Sequence, residues 1–577
     1  MTTPTMTTTV SSSTSRRAGP WHRRVEGLHV LKLVGSHYEM GRQHGQMLAD
    51  EIRTGPIPYY RTYLEQMLGR TGLGPLTPLA WPLVQRLVGE KVAESFPDYA
   101  RDAIRGLAEG AGLDEKELLE GCSFPDSMLW IAARVMKLKR VGPAAHHRVA
   151  LGLGCTSAIA WGSATKDGKL LHARNFDYHG VDCWPKSAAV VFHEPDEGLR
   201  YVSVSAAGVL MGGVTAMNEA GLSLTVHQHM FTDQTTLGGT PVGCIGDEIM
   251  RKARSLDDAQ AILSAHRPIG CWTYLITDAQ RREVLCWEED PKRRAITRRG
   301  VSDEGDTFGY SNIYLDPELG ATEQALYGSY WRHNRARYAR VNELLSSGFG
   351  DHSPNRMASI LADQGDGACR ISEAIGMLMT VGSVVFRPED GVLWVGSGQA
   401  PTSHRRFVPF DLGREDHAPE HGFLDGGVPD DETASEAFEH YRQAQVAFVD
   451  EQDVAKAHRL ARRARDLQPD QALFHVLVGM LDLRMGQHGE AFDAFGRALE
   501  IGHAHPERRA TFHLWRAHAA DLVGRRDEAE RHYRACLGHH ADVPVHRAAR
   551  RGLSKPYTAR RARGVDVDFT YVDVISP

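Results

Sequence analysis

GLGCTSAIAWGSATKDGKLLHARNFDY, residues 152–178, reads as two β-forming runs joined across an Asp167-Gly168 turn. Gly154 gives the chain flexibility, Cys155 opens the first strand, and the second strand ends in Arg174-Asn175-Phe176-Asp177. Folded as a hairpin, the sequence sets the charged end of the second strand beside the start of the first. The chemistry needs that placement, because a cysteine sulfur is a strong nucleophile only when a base or a nearby positive charge favours its thiolate. If the Gly154–Cys155 bond is cut, the new α-amino group, with a reference pKa of about 7.7–8.0, becomes a base on the same residue as the sulfur.

Upstream, HVLKLVGSHYEMGRQHGQMLADEI predicts a strand from Leu28, a glycine turn and a helix, with helical texture to about Lys139. From Cys155 to about Leu412 short β-branched runs such as AAVVFHE, GLSLTVHQH and EVLCWEE alternate with glycine turns, which predicts a β-rich body with interspersed helices. These readings divide the chain into a Ser/Thr-rich leader (1–27), a segment ahead of the nucleophile (28–154), a β-rich segment (155–412) and a charged, Gly/Pro-rich linker (413–432). Residues 433–540 are helical and repeat: Ala457, Ala461 and Ala464 match Ala491, Phe495 and Ala498 in phase, and then Ala529, Tyr533 and Cys536. A period near 34 residues with small residues at helix contacts resembles tetratricopeptide repeats, which stack into a concave surface suited to a protein partner. Residues 541–577 hold a basic run (Arg547, Arg550, Arg551, Lys555, Arg560, Arg561, Arg563), read as a solvated helix face, and an alternating VDVDFTYVDV, read as a strand for a sheet edge.

Composition narrows the function. A chain of 577 residues with 42% hydrophobic content supports more than one core. A net charge of −6 gives no global pull toward nucleic acid, and no apolar run is long enough to span a bilayer. The leader lacks the apolar core of a signal peptide, and the eight cysteines show no paired spacing, so a cytoplasmic setting with reduced thiols is the expectation. Adjacent histidines (His146-His147, His539-His540) and the His227/His229 pair lack carboxylate or cysteine partners at ligand spacing, so neither metal nor cofactor is predicted. A papain-like pairing of Cys155 with His172 or His227 is the alternative that needs no cleavage.

The stretch GCTSAIAWGSATKDG…RNFD resembles the processing site of the N-terminal-nucleophile (Ntn) hydrolases of the isopenicillin N acyltransferase (acyl-CoA:6-aminopenicillanic acid acyltransferase) family. Those are relatives of choloylglycine hydrolases, penicillin V acylases and acid ceramidase. GSHYEMGRQHG (35–45), MNEAGLSL (217–224), YSNIYLD (310–316), SYWRHNRARY (329–338) and GSVVFRPEDGVLWVGSGQAPTS (382–403) resemble further family segments, so the likeness runs over about residues 28–412. It implies an α+β fold, a four-layer αββα sandwich followed by the all-α repeats. It also implies self-cleavage between Gly154 and Cys155, with Cys155 as acyl acceptor flanked by Arg174 and Asp177, and Asn312 lining the site as an oxyanion donor. Arg332 is the choice for the family's downstream arginine because it follows Ser329, with Arg335 and Arg337 as competitors. Asn175, Asn218, His227 and Gln228 are possible oxyanion or pocket residues, although Asn218-Glu219-Ala220-Gly221 also reads as a tight turn. The implied function is hydrolysis or acyl transfer on a linear, non-peptide amide, with a small-molecule acyl donor and amine acceptor as partners. Two alternatives are a lipid amidase or phospholipase B-like hydrolase, and a repeat-based interaction protein carrying a vestigial hydrolase body.

Overall fold

A computed structural model describes residues 19–68, 85–139, 154–210, 212–229, 232, 234–301, 305–323, 328–365, 374–427 and 431–572. The His146-His147 pair, Cys369 and the end of the C-terminal run lie outside the described residues.

Two sheets form the body. The first has nine strands in the order β1 (Trp21–Val25), β2 (Leu28–Gly35), β5 (Ala188–Pro195), β6 (Tyr201–Ala206), β7 (Thr215–Asn218), β8 (Leu222–Gln228), β9 (Trp272–Asp278), β10 (Glu283–Glu289) and β11 (Arg294–Arg299). The second has seven, in the order β12 (Thr307–Tyr310), β3 (Gly154–Ala160), β4 (Leu171–Asp177), β13 (Thr380–Arg387), β14 (Val392–Gly396), β15 (Phe407–Asp411) and β16 (Asp416–His417). All neighbours are antiparallel except β2 and β5. The inner faces meet through Val30, Phe192 and Met217 from the first sheet and Val384, Phe386 and Phe410 from the second. Helices α1 (His37–Met47) and α2 (Asp98–Ala111) cover Leu31, Leu33 and Val191 on the outer face of the first sheet. A further helix, α3 (Phe124–Lys139), packs with α4 (Val242–Lys252) near β8 and β9. Helices α5 (Gly328–Ser347) and α6 (Pro354–Leu361) cover Ala158, Ala173 and Val385 on the outer face of the second. The layers therefore run helix, sheet, sheet, helix. Strands covered on both faces carry continuous apolar runs, which is why AAVVFHE does not alternate.

The glycines of GRQHG have a packing cause. A Cβ on Gly41 would lie 2.0 Å from the Ala103 carbonyl oxygen, and one on Gly106 would lie 2.0 Å from that of Tyr38. Only glycine lets the backbones of α1 and α2 approach this closely. Ser36 starts α1 with a capping box, its side chain accepting from the Glu39 N–H while the Glu39 side chain accepts from the Ser36 N–H.

Four features differ from the sequence reading, two of them boundaries. The body begins before Leu28, because β1 pairs with β2. It also extends beyond Leu412, since β16 pairs with β15 and Leu424 bridges to Phe407, so the first half of the expected linker belongs to the body. After it come α7 (Glu432–Val449), α8 (Val454–Leu467), α9 (Ala472–Met485), α10 (His488–Ile501), α11 (Pro506–Leu522) and α12 (Arg526–Leu537), each packed on the next, with α13 (Val543–Ser554) against α11 and α12. The third difference is the C-terminal run, which is no strand over its described part, 565–572. Its carbonyls are taken by side chains of alternate helices: Arg484 Nη1 donates to Val565 O at 2.7 Å, Arg508 to Tyr571 O and Val572 O at 2.6 Å each, and Tyr441 to Phe569 O. With four of its carbonyls taken there, the described part of the run adds to no sheet edge, and Tyr571 enters the body's core beside Tyr330 and Met379. The fourth difference concerns the surface expected to face a partner: on α7, α9 and α11, Tyr441, Arg484 and Arg508 bond this chain's own tail. Of the basic run, Arg547, Arg550 and Arg551 are exposed on α13, whereas Lys555, Arg560, Arg561 and Arg563 lie beyond that helix and Arg561 stacks on the Tyr557 ring. Among the described residues no helix is long and apolar enough to cross a membrane.

Candidate active site

Antiparallel pairing sets Gly154 opposite Asp177, Cys155 opposite Phe176 and Ser157 opposite Arg174. Strand alternation then decides what each side chain meets. Cys155, Ser157, Arg174 and Phe176 share the face turned to the first sheet, so Arg174 is the diagonal neighbour of Cys155 and its Nη2 donates to Sγ at 3.3 Å. The same nitrogen donates to Val226 O at 2.8 Å, and the guanidinium lies 4.8 Å from the centre of the Phe176 ring. Arg174 Nε and Nη1 have no hydrogen-bond partner among the described residues, leaving donors free beside the sulfur.

Asp177 accepts from Thr380 Oγ1 through Oδ1 at 2.6 Å, and its Oδ2 makes no hydrogen bond among the described residues. Arg337, from α5, stands 3.9 Å from that oxygen. It donates through Nη1 to Cys155 O at 2.6 Å and Thr156 Oγ1 at 2.9 Å, and through Nη2 to Asn312 Oδ1 at 3.1 Å and Asn334 Oδ1 at 2.7 Å. The Cys155 backbone N–H donates to Asn312 Oδ1 at 2.5 Å, while Asn312 Nδ2 donates to Gln228 O at 2.8 Å. Gly154 is small for a steric reason: a Cβ there would lie 2.9 Å from Asp177 Oδ2 and 3.0 Å from Arg337 Nη2. Burial pushes the Cys155 thiol above its ordinary range, with Arg174 opposing the shift and Asp177 adding to it. Burial likewise raises the Asp177 carboxyl, opposed chiefly by Arg337. The intact chain therefore favours a neutral thiol next to a carboxyl able to hold a proton.

The expected residues divide. Cys155, Arg174, Asp177 and Asn312 come together with Gly154, as the hairpin requires. Arg332 does not: it pairs with Asp542 at 3.4 Å, and Arg337 takes the position expected of it. At 100° per residue Arg332 lies about 140° around α5 from Arg337 and Arg335 about 160°, whereas Asn334 lies only about 60° away. Asn175 points to the opposite face, donating to Leu361 O at 2.7 Å and Ile375 O at 3.2 Å. Asn218 holds the turn between β7 and β8, accepting from the N–H groups of Ala220 and Leu222 at 3.1 Å each. His227 is occupied by Ser157 at 2.9 Å, and His172 by Ser223 at 2.9 Å and Thr225 at 3.1 Å, so neither histidine bonds the sulfur. Burial pushes the imidazole of His172 down to about 3. Sequence reasoning missed Asn334 and Thr380. The first was readable as the residue three before Arg337 on one helix, whereas nothing local marks the second.

A cleft of about 990 Å³, including its open mouth, reaches Cys155. Its wall is aromatic: the Phe176 and Tyr178 rings stack at 5.0 Å, Tyr60 meets Tyr178 edge-on at 5.2 Å, and Trp184 tilts against Phe176 at 5.0 Å. An adjoining hollow of about 910 Å³ shares Ile57 and Tyr60 but does not touch the cysteine.

Residues 163–401 match the family described as acyl-coenzyme A:6-aminopenicillanic acid acyl-transferase. The match begins after Cys155 and takes in Arg174, Asp177, Asn312 and Arg337. An uncharacterized protein of Archaeoglobus fulgidus is 26% identical over 337 residues, 53% of this chain and 54% of that protein, so the chain spans about half the length of this curated relative. A solved structure of a Caenorhabditis elegans N-acylethanolamine-hydrolyzing acid amidase ortholog is 13% identical with a TM-score of 0.30, covering 41% of this chain and 93% of that one.

Proposed function

We propose that the chain is a self-processing cysteine amidohydrolase or N-acyltransferase of the Ntn type, acting on a linear amide, and that the helix–sheet–sheet–helix body is the αββα sandwich of that class. One observation carries the reading: the sulfur, backbone nitrogen and carbonyl of Cys155 are each held by a different buried side chain, Arg174, Asn312 and Arg337. A structural cysteine needs no such set.

In the first step Sγ attacks the Gly154 carbonyl carbon and the thiol proton passes to Asp177. The C–N bond then breaks with the proton returning to the leaving nitrogen, and water hydrolyses the thioester to leave Gly154 as a carboxylate and Cys155 with a free amine. In later turnovers that amine takes the thiol proton, Sγ attacks the substrate amide carbon, and the amine product leaves with a proton. Water or a second amine then accepts the acyl group. The free donors of Arg174 serve the charge that develops on oxygen, a contact whose removal elsewhere costs about 3–4 kcal/mol. The aromatic cleft suits an apolar or aromatic substituent on the substrate.

The test is intact mass under denaturing conditions. Wild type should separate into chains of 154 and 423 residues (577 minus 154), and Cys155→Ala should remain whole. Two uncut chains would remove the reading.

A further inference from the structure

The cleft contains a second polar group. Asp126, on the first turn of α3, is 2% exposed and lines the cleft with Cys155. Its Oδ2 accepts from the Val242 N–H at the start of α4 at 3.1 Å, and its Oδ1 from Trp272 Nε1 at 3.2 Å. Trp272 and Gln228 are directly paired across β9 and β8, so their side chains share one face. Both polar atoms of the Gln228 side chain are buried without a hydrogen-bond partner among the described residues. Asp126, Trp272 and Gln228 thus form one continuous stretch of wall.

That wall is unusual in its charge. Among the described residues, Asp126 is the one charged group lining the cleft outside the Cys155 cluster, and no cation pairs with it. A buried carboxylate ordinarily needs a cationic partner, and a buried amide ordinarily needs hydrogen bonds. Two neutral donors fix the orientation of Asp126 but leave its negative charge uncompensated. Gln228 Oε1 offers a further acceptor, and the nearby aromatic faces also favour a cation.

We infer that Asp126 and Gln228 form a specificity subsite for a protonated amino group carried by the substrate away from its scissile amide. The inference deepens the proposed function and takes its meaning as a substrate site from that reading. It requires no chemistry at Cys155, so it can be tested by binding alone. Burial raises the Asp126 carboxyl to about 7. The other titratable groups that face it, Tyr178, Tyr274 and Cys244, are held above their ordinary ranges by burial and stay neutral near that pH.

The experiment measures binding of 4-phenylbutylamine and of 4-phenylbutan-1-ol to full-length Cys155→Ala protein by calorimetry at pH 8 and pH 6. The amine should bind at least about tenfold more tightly than the alcohol at pH 8. Its affinity should fall about tenfold by pH 6, as a carboxyl near 7 takes up its proton, while that of the alcohol stays level. Adding Asp126→Asn should abolish the preference, the amine then binding no better than the alcohol, and adding Gln228→Leu should weaken the amine several-fold. An amine that binds no better than the alcohol, or a preference that survives Asp126→Asn, overturns the inference. Should Asp126→Asn not fold, an amine affinity that is flat between pH 8 and pH 6 overturns it instead. If wild type fails to cut itself while the preference holds, the proposed function falls, and Asp126 and Gln228 stand as an amine-binding site alone.

Discussion

Replacing Arg337 by lysine keeps a positive charge and removes the planar fork. The guanidinium makes four hydrogen bonds to buried oxygens, on Cys155, Thr156, Asn312 and Asn334, at 2.6–3.1 Å. A lysine ammonium at a single point cannot span them, and two are left unpaired. At about 1–3 kcal/mol for each orphaned buried acceptor, the loss is about 3 kcal/mol. If the fork orients the Cys155 carbonyl and Asn312 for self-cleavage, that loss slows cutting by roughly a hundredfold. The assay is a time course of intact mass on freshly synthesised full-length chain, beside Arg332→Lys as control. Arg332 is 30% exposed and pairs at the surface with Asp542, a contact worth about 0–1 kcal/mol, so its variant should cut within about twofold of wild type. Arg337→Lys cutting at the wild-type rate, or Arg332→Lys slowing equally, refutes the assignment.

Three further outcomes are expected. Gly154→Ala drives a methyl against Asp177 and Arg337, so self-cleavage should slow by more than about tenfold; cutting at the wild-type rate would show that this corner of the site is not rigid. Arg508→Leu strips the two tail carbonyls of their donor and should cost about 2–4 kcal/mol, visible as a lowered urea midpoint and faster proteolysis after residue 564; an unchanged midpoint argues against a clamped tail. For Asp126 the folded carboxyl, near 7, lies above its unfolded reference of about 3.9, so its stabilising contribution is full below about pH 4 and is lost as pH rises to 7. The stability of wild type relative to Asp126→Asn should therefore fall between pH 4 and pH 7 by on the order of 1–4 kcal/mol in urea titrations, and a constant difference contradicts the burial argument.

The hairpin of β3 and β4 was legible because its information is local. A turn at Gly168 and alternation on either side suffice to bring Arg174 and Asp177 to Cys155. The capping box at Ser36 and the phase of the C-terminal helices are local in the same way. Arg337 was not singled out, because choosing among three arginines on α5 requires knowing which face of that helix lies on the second sheet. Asn175 and His227 misled for a related reason: alternation is readable in a strand, but which face looks onto the cleft depends on what covers the other. The terminal VDVDFTYV has the pattern of a strand, yet its fate was decided by Arg484, Arg508 and Tyr441, which no spacing connects to it. Asp126 shows the limit most plainly. In sequence it is an ordinary acidic residue on the first turn of a helix, and only the packing of α3 against α4 and β9 turns it into a buried carboxyl held by two neutral donors, with no cation paired to it among the described residues. Backbone propensity and side-chain period act over a few residues and so are written in the chain. Burial and the pairing of charges are properties of surfaces brought together from distant segments, and tertiary structure alone determines them.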